Sequence, residues 1–228
     1  MKILLLFILL LWASENYAQE LSFSSGANRT TYDYKNSFGE KNKNLKGGSG
    51  TFYQIAYLGA LGPKKRLGYT LGINLNEFNA KGGNLSTVYT WKTNYVGVKT
   101  GLSYGFLTTV SGLRANLTLD LLASRIISGT QQINGASFIL TEEKEFAGIF
   151  LQPSVGFDVS YPLSPKVRVG LGYNYGKSSA ISQQTEETLG FSNHQLALNL
   201  NVKLKKNKVE SSTIETQGSE QATKEKGL

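Results

Sequence analysis

The chain has no cysteine, which removes disulfides, thiolate metal sites and a lipoprotein-type anchor from consideration. It has one histidine, so any imidazole chemistry rests on His194. Beyond residue 19 no apolar stretch approaches the roughly 20 residues of a membrane helix. If the mature chain enters a bilayer, it must do so as a closed barrel, because only helices and closed barrels satisfy every backbone hydrogen bond in lipid. The one long apolar run, Ile3 to Trp12, follows Lys2 and gives way to the small and polar stretch Ala13 to Ala18. It is too short to span and reads as a signal peptide over 1–18, cleaved after Ala18. The net charge of +8 comes without a basic stripe interleaved with aromatics, so a nucleic-acid partner is not expected. Attraction to anionic lipid head groups fits it better.

What is present is dyad alternation, repeated along residues 19–205. Leu196, Leu198, Leu200, Val202 and Leu204 share one phase, opposed by Gln195, Ala197, Asn199, Asn201 and Lys203. Val167 to Tyr175, Ile149 to Tyr161, Leu113 to Leu121 and Leu67 to Leu75 behave alike, with glycine, amides and hydroxyls on the second phase. Over 50–61, Tyr53, Ile55 and Tyr57 share a face, and the first strand, near 20–31, shows mainly Leu21 and Phe23. In 88–104, Val96, Val98 and Leu102 share a phase while Tyr89 and Trp91 take the other, which predicts a bulge near Thr93. Connections at 62–65, 105–112 and 162–165 are short; those at 35–49, 77–87, 129–146 and 178–190 are long and polar. The expected fold is all-β: an eight-stranded antiparallel up-and-down transmembrane β-barrel. Its N- and C-termini are periplasmic and its long loops outside the cell. Residues 206–228, without aromatics, read as a disordered periplasmic tail.

The polar phase carries few charges, unlike the exterior of a soluble barrel, so it is assigned to the lumen and the apolar phase to lipid. Lys99, Arg114, Asp120, Asp158, Arg168 and Lys203 then point inward, and a network of ion pairs and hydrogen bonds that plugs the lumen is expected. With a three-residue turn at 162–164, Asp158 and Arg168 would face each other. Tyr57, Tyr69, Tyr161, Tyr173 and Tyr175 suit girdles at the membrane interfaces. Arg29 and Arg125 point outward near the upper rim. With Lys35, Lys41, Lys43, Lys46 and Lys81 in the outer loops, they are candidate contacts to lipopolysaccharide phosphates.

The run from Phe150 to Tyr175 resembles the late hairpin of OmpA/OmpX-like outer-membrane barrels, and the Ala18-Gln19 junction resembles those of Bacteroidota. The resemblance covers residues 20–205 and implies an outer-membrane location and insertion by the outer-membrane assembly machinery; separately, no catalytic, cofactor or metal site is expected. The resemblance departs at the end, where the last strand stops at Leu204 instead of at an aromatic. The expected role is that of a small non-enzymatic barrel giving stability or presenting loops, with an envelope protein as an open partner. Two alternatives stand beside it. Ser192, His194 and nearby Glu186 and Glu187 could hydrolyse an ester of lipid A, or the barrel could be soluble and carry an apolar ligand. Gly170-Leu-Gly172 lies on a strand with no helix after it and is not a nucleotide loop.

Overall fold

Ten strand segments follow one another in the computed structural model, which describes residues 19–204 apart from 43, 65, 84–87, 142 and 182–185. They are β1 (Gln19–Lys35), β2 (Lys46–Leu61), β3 (Leu67–Glu77), β4 (Ala80–Gly83), β5 (Val88–Thr108), β6 (Arg114–Ile133), β7 (Ala136–Ile139), β8 (Phe150–Pro162), β9 (Val167–Ala180) and β10 (Thr188–Lys203). Each long strand pairs antiparallel with its neighbours, and β1 pairs with both β2 and β10, which closes a ring of eight. The two short segments extend that ring at its loop end. β4 continues the line of β3 between β2 and β5. β7 folds back on β6 through Asn134 and Gly135, whose positive φ angles of 48° and 90° form the two-residue turn that Asn-Gly favours. The expected signal peptide, tail and Lys43 lie outside the described residues.

Within the turn-end half, the alternation places side chains as anticipated. An unbroken apolar rung runs across Val169, Leu200, Phe23, Ile55, Ile73 and Val98, joining six neighbouring strands on the outside. Ile73 and Leu198 are 62% and 63% exposed. On the inside stand serines, asparagines and glycines, some of the glycines where a neighbouring polar side chain takes the space. At Gly156 and Gly101 a β-carbon would fall 1.8 Å from Asn174 Oδ1 and 1.9 Å from Asp120 Oδ1.

In the loop-end half the arrangement reverses. Tyr32, Phe78, Tyr95, Phe150 and Phe191 point into the barrel and pack together with Ile126, Leu140 and Phe146. Phe78 and Phe191 have ring centroids 4.3 Å apart, and Phe150 and Phe191 5.2 Å. The apolar parity therefore switches along single strands: from Phe23 to Tyr32 on β1, from Val96 to Tyr95 on β5, from Leu196 to Phe191 on β10. Here the strands behave as those of a water-soluble protein, whose apolar groups must be buried inside. β3 breaks at Phe78 to admit that ring, and the freed Phe78 carbonyl accepts hydrogen bonds from the Tyr32 hydroxyl at 2.7 Å and from the Thr93 hydroxyl.

The expected bulge near Thr93 is found, between Asn94 and Tyr95, but its expected effect on the phase of β5 is corrected. β5 keeps one phase from Trp91 through Tyr95 to Lys99. The extra residue is Ile127 on β6, where pairing shifts between Asn94↔Ser128 and Tyr95↔Ile126. A second shift, between Gly105 and Leu107, leaves Phe106 unpaired. The plug is also corrected: a hydrophobic cluster fills the loop-end bore, while the polar half beneath it holds a cavity.

Candidate functional site

That cavity, of about 830 Å³, gathers all six inward ionisable residues expected from the alternation: Lys99, Arg114, Asp120, Asp158, Arg168 and Lys203. It reaches the turn-end rim at Lys64 and Arg66. The six do not form one network. Lys99 Nζ lies 2.9 Å from Asp120 Oδ2, with both side chains largely buried. Asp158 accepts a hydrogen bond from Asn116 Nδ2 at 2.8 Å, its rung partner across β6 and β8. Arg114 and Lys203 stand at the mouth.

The expected facing of Asp158 and Arg168 is not found. β8 and β9 pair Pro162 with Arg168 and Asp158 with Gly172, so the connection is longer than three residues. Ser164 sets its length: its hydroxyl accepts from Val167 N at 3.1 Å and from Lys166 N at 3.3 Å. Arg168, only 4% exposed, instead donates to Gly112 O at 3.1 Å and to the carbonyl and hydroxyl of Ser160 at 3.3 and 3.2 Å. One guanidinium thus ties two turns together.

Between cavity and aromatic cluster lies a belt of amides. Gln152 donates to Asn193 (2.7 Å), Asn193 to Asn28 (3.3 Å), and Gln195 to Asn76 (2.9 Å). Gly176 leaves the space this belt needs, since a β-carbon there would meet Gln152 Nε2 at 2.3 Å. The amides were assigned to the lumen from their phase, but their pairings join residues up to 165 positions apart and carry no local signal.

On the outside, Arg29 and Arg125 both lie at the level where the parity reverses. Arg29 is one residue from the buried Thr30, and Arg125 precedes the buried Ile126. They are on opposite sides of the ring. Arg29 shares a rung with His194, which pairs in turn with Tyr175. Above it, Lys46 and Lys81 face each other directly across β2 and β4, an unfavourable like-charge pair in isolation. Lys35 bridges to Lys41, whose ammonium lies 3.1 Å from Asp33.

The groups of the hydrolase alternative are not brought together. The exposed His194 has Nδ1 2.7 Å from the Tyr173 hydroxyl, not bonded to Ser192. Glu187 accepts from the Tyr34 hydroxyl at 2.6 Å. The Glu145 carboxyl is close enough to Glu187 to interact with it, a proximity that spacing could not suggest. Burial, then the neighbouring carboxylate, pushes the Glu145 carboxyl above the usual range. The Tyr34 hydroxyl, then Glu145, holds Glu187 below it. Among the described residues no group of three or more His, Asp or Glu side chains is placed to hold a metal ion.

No family model and no curated protein matches the chain. Solved structures do resemble it. Neisserial surface protein A is 16% identical, with 80% of this chain and 97% of that one covered and a TM-score of 0.44. OprG from Pseudomonas aeruginosa is 12% identical, with 81% and 96% covered and a TM-score of 0.47. The outer-membrane protease OmpT of Escherichia coli is 8% identical, with 82% and 97% covered and a TM-score of 0.32. All three are outer-membrane proteins, and the ring of eight strands in this chain rests on its own strand pairing.

Proposed function

We propose that the chain is a non-enzymatic outer-membrane protein whose barrel anchors and orients its loop end outside the cell. The observation that carries this reading is the parity reversal. Apolar side chains face outward around the turn-end half and inward around the loop-end half, as expected if the surroundings change from acyl chains to water along each strand. A soluble carrier of apolar ligands needs the opposite arrangement beside its cavity, which here is lined by Lys99, Arg114, Asp120, Asp158, Arg168 and Lys203.

At the reversal, Arg29 and Arg125 would meet phosphates of lipopolysaccharide, with Lys46 and Lys81 above them relieved of mutual repulsion by an anion. The loops between β1 and β2 and between β6 and β8 then supply whatever binding the protein performs outside. Fractionation of cells followed by heat-modifiable gel migration tests the location: the protein is expected in outer membranes, with the unheated form running apart from the boiled one. Recovery of the processed chain in aqueous periplasmic extract sinks the reading. Replacing Arg29 and Arg125 by Ala should lower lipopolysaccharide retained on purification, and unchanged retention removes that contact. A change in lipid A that disappears in His194→Ala would restore the hydrolase.

A further inference from the structure

The turn-end mouth of the cavity carries more positive charge than its carboxylates offset. Asp120 is taken by Lys99, Asp158 accepts from Asn116, and Arg168 is committed to Gly112 and Ser160. Lys64, Arg66, Arg114 and Lys203 line the same space and face one further carboxylate, Glu20. None of these four cations has an ion-pair partner among the described residues. Arg114 pairs across β6 and β8 with Ser160, the residue that holds Arg168. Two guanidiniums are therefore brought to one place with no carboxylate bonded to either.

Asn201 also lines the cavity near its mouth, and its buried Oδ1 has no hydrogen-bond partner among the described residues. Ser22, Ser24, Ser103 and Thr118 supply hydroxyls around it. The volume falls within the range of small-molecule sites, about 300–1,000 Å³. Cations at the rim with alcohols and amides behind them suit a ligand with an anionic head and a hydroxylated body.

We propose that this vestibule binds a phosphorylated polyol, its phosphate held by Arg114, Lys203 and the neighbouring mouth cations and its hydroxyls by the serines and asparagines within. The phosphate geometry fits the planar donors of arginine, with lysine adding charge. The polyol arrives either as a free solute or as the head group of a lipid whose tails stay in the leaflet next to the mouth.

The test uses the full chain refolded in phosphatidylcholine nanodiscs, titrated calorimetrically with glycerol 3-phosphate, inorganic phosphate and glycerol. Saturable binding of glycerol 3-phosphate is expected, tighter than that of phosphate, with none for glycerol. Arg114→Gln with Lys203→Gln should weaken it about tenfold or more. Lys92→Gln with Lys177→Gln, exposed on the outer face, should leave it unchanged. Heat-modifiable migration verifies that each variant is folded. A second arm measures lipid co-purifying from native membranes. Phosphatidylglycerol held by the native chain and lost from the Arg114/Lys203 variant assigns the ligand to a head group. Saturable titration without such retention assigns it to a free solute. If neither arm separates the native chain from that variant, the proposal is overturned.

Discussion

Lys99 and Asp120 show what an inward charge requires in a narrow barrel. Their contact depends on Gly101, the rung partner of Asp120, because a methyl group there would lie 1.9 Å from the carboxylate oxygen. Lys99→Ala leaves a buried carboxylate without its cation and should cost about 3–5 kcal/mol of unfolding free energy, read by urea titration in lipid vesicles. Gly101→Ala should destabilise in the same direction by displacing Asp120. Replacing Lys99 and Asp120 together should recover most of the loss; a double variant as unstable as Lys99→Ala argues against the pair. Which residues face inward was legible from parity alone. Which of them touch was not. Asp158 misses Arg168 because one serine hydroxyl lengthens a turn, and a register shift moves every pairing along the strand.

At the scale of the strand, the apolar pattern has to be read together with the medium outside it. Tyr89 and Trp91 looked out of phase with Val96 and Val98, and a bulge that shifts the phase was the natural inference. In fact the strand keeps its phase and its surroundings change. Asn134-Gly135 was a readable hairpin signal inside a stretch that otherwise looked like loop. The reversal can be probed by charge insertion. Ile73→Arg, on the apolar rung, should cost about 2–4 kcal/mol in a bilayer. Thr31→Arg, outward-facing but above the reversal, should change stability by less than about 0.5 kcal/mol. Equal, small costs at both positions would contradict a membrane boundary between them.

The segment following β7 carries its own dependence on pH. The raised pKa of Glu145 gives a contribution fully present below its unfolded value and lost as pH climbs through the folded one. Glu187, held low, contributes above its unfolded value and loses that as pH falls through its folded value. The pair is best satisfied with a single proton, in the window between the two folded values. Hydrogen exchange at Phe146 and Ala147, corrected for intrinsic rates, should show protection falling as pH rises past that window. Glu145→Gln should abolish the fall.

For the whole molecule, the sheet closes the wall and the aromatic cluster closes the bore. Phe191 touches Tyr32, Phe78, Tyr95 and Phe150, so Phe191→Ala removes the ring shared by all four. A loss of about 3–5 kcal/mol is expected, measured as a lowered unfolding midpoint. A shift within error would mean that the cluster contributes little to holding the loop end. This cluster was the least legible part of the molecule. Tyr32, Tyr95, Phe150 and Phe191 come from β1, β5, β8 and β10 and Phe78 from the break after β3, and each taken alone resembles an interfacial aromatic.

A tube sealed at one end is not a leak. If the barrel sits in the outer membrane as proposed, extra copies would add no through-route for small solutes. Anything that enters the open end must also leave by it, and a single doorway sets how long it stays.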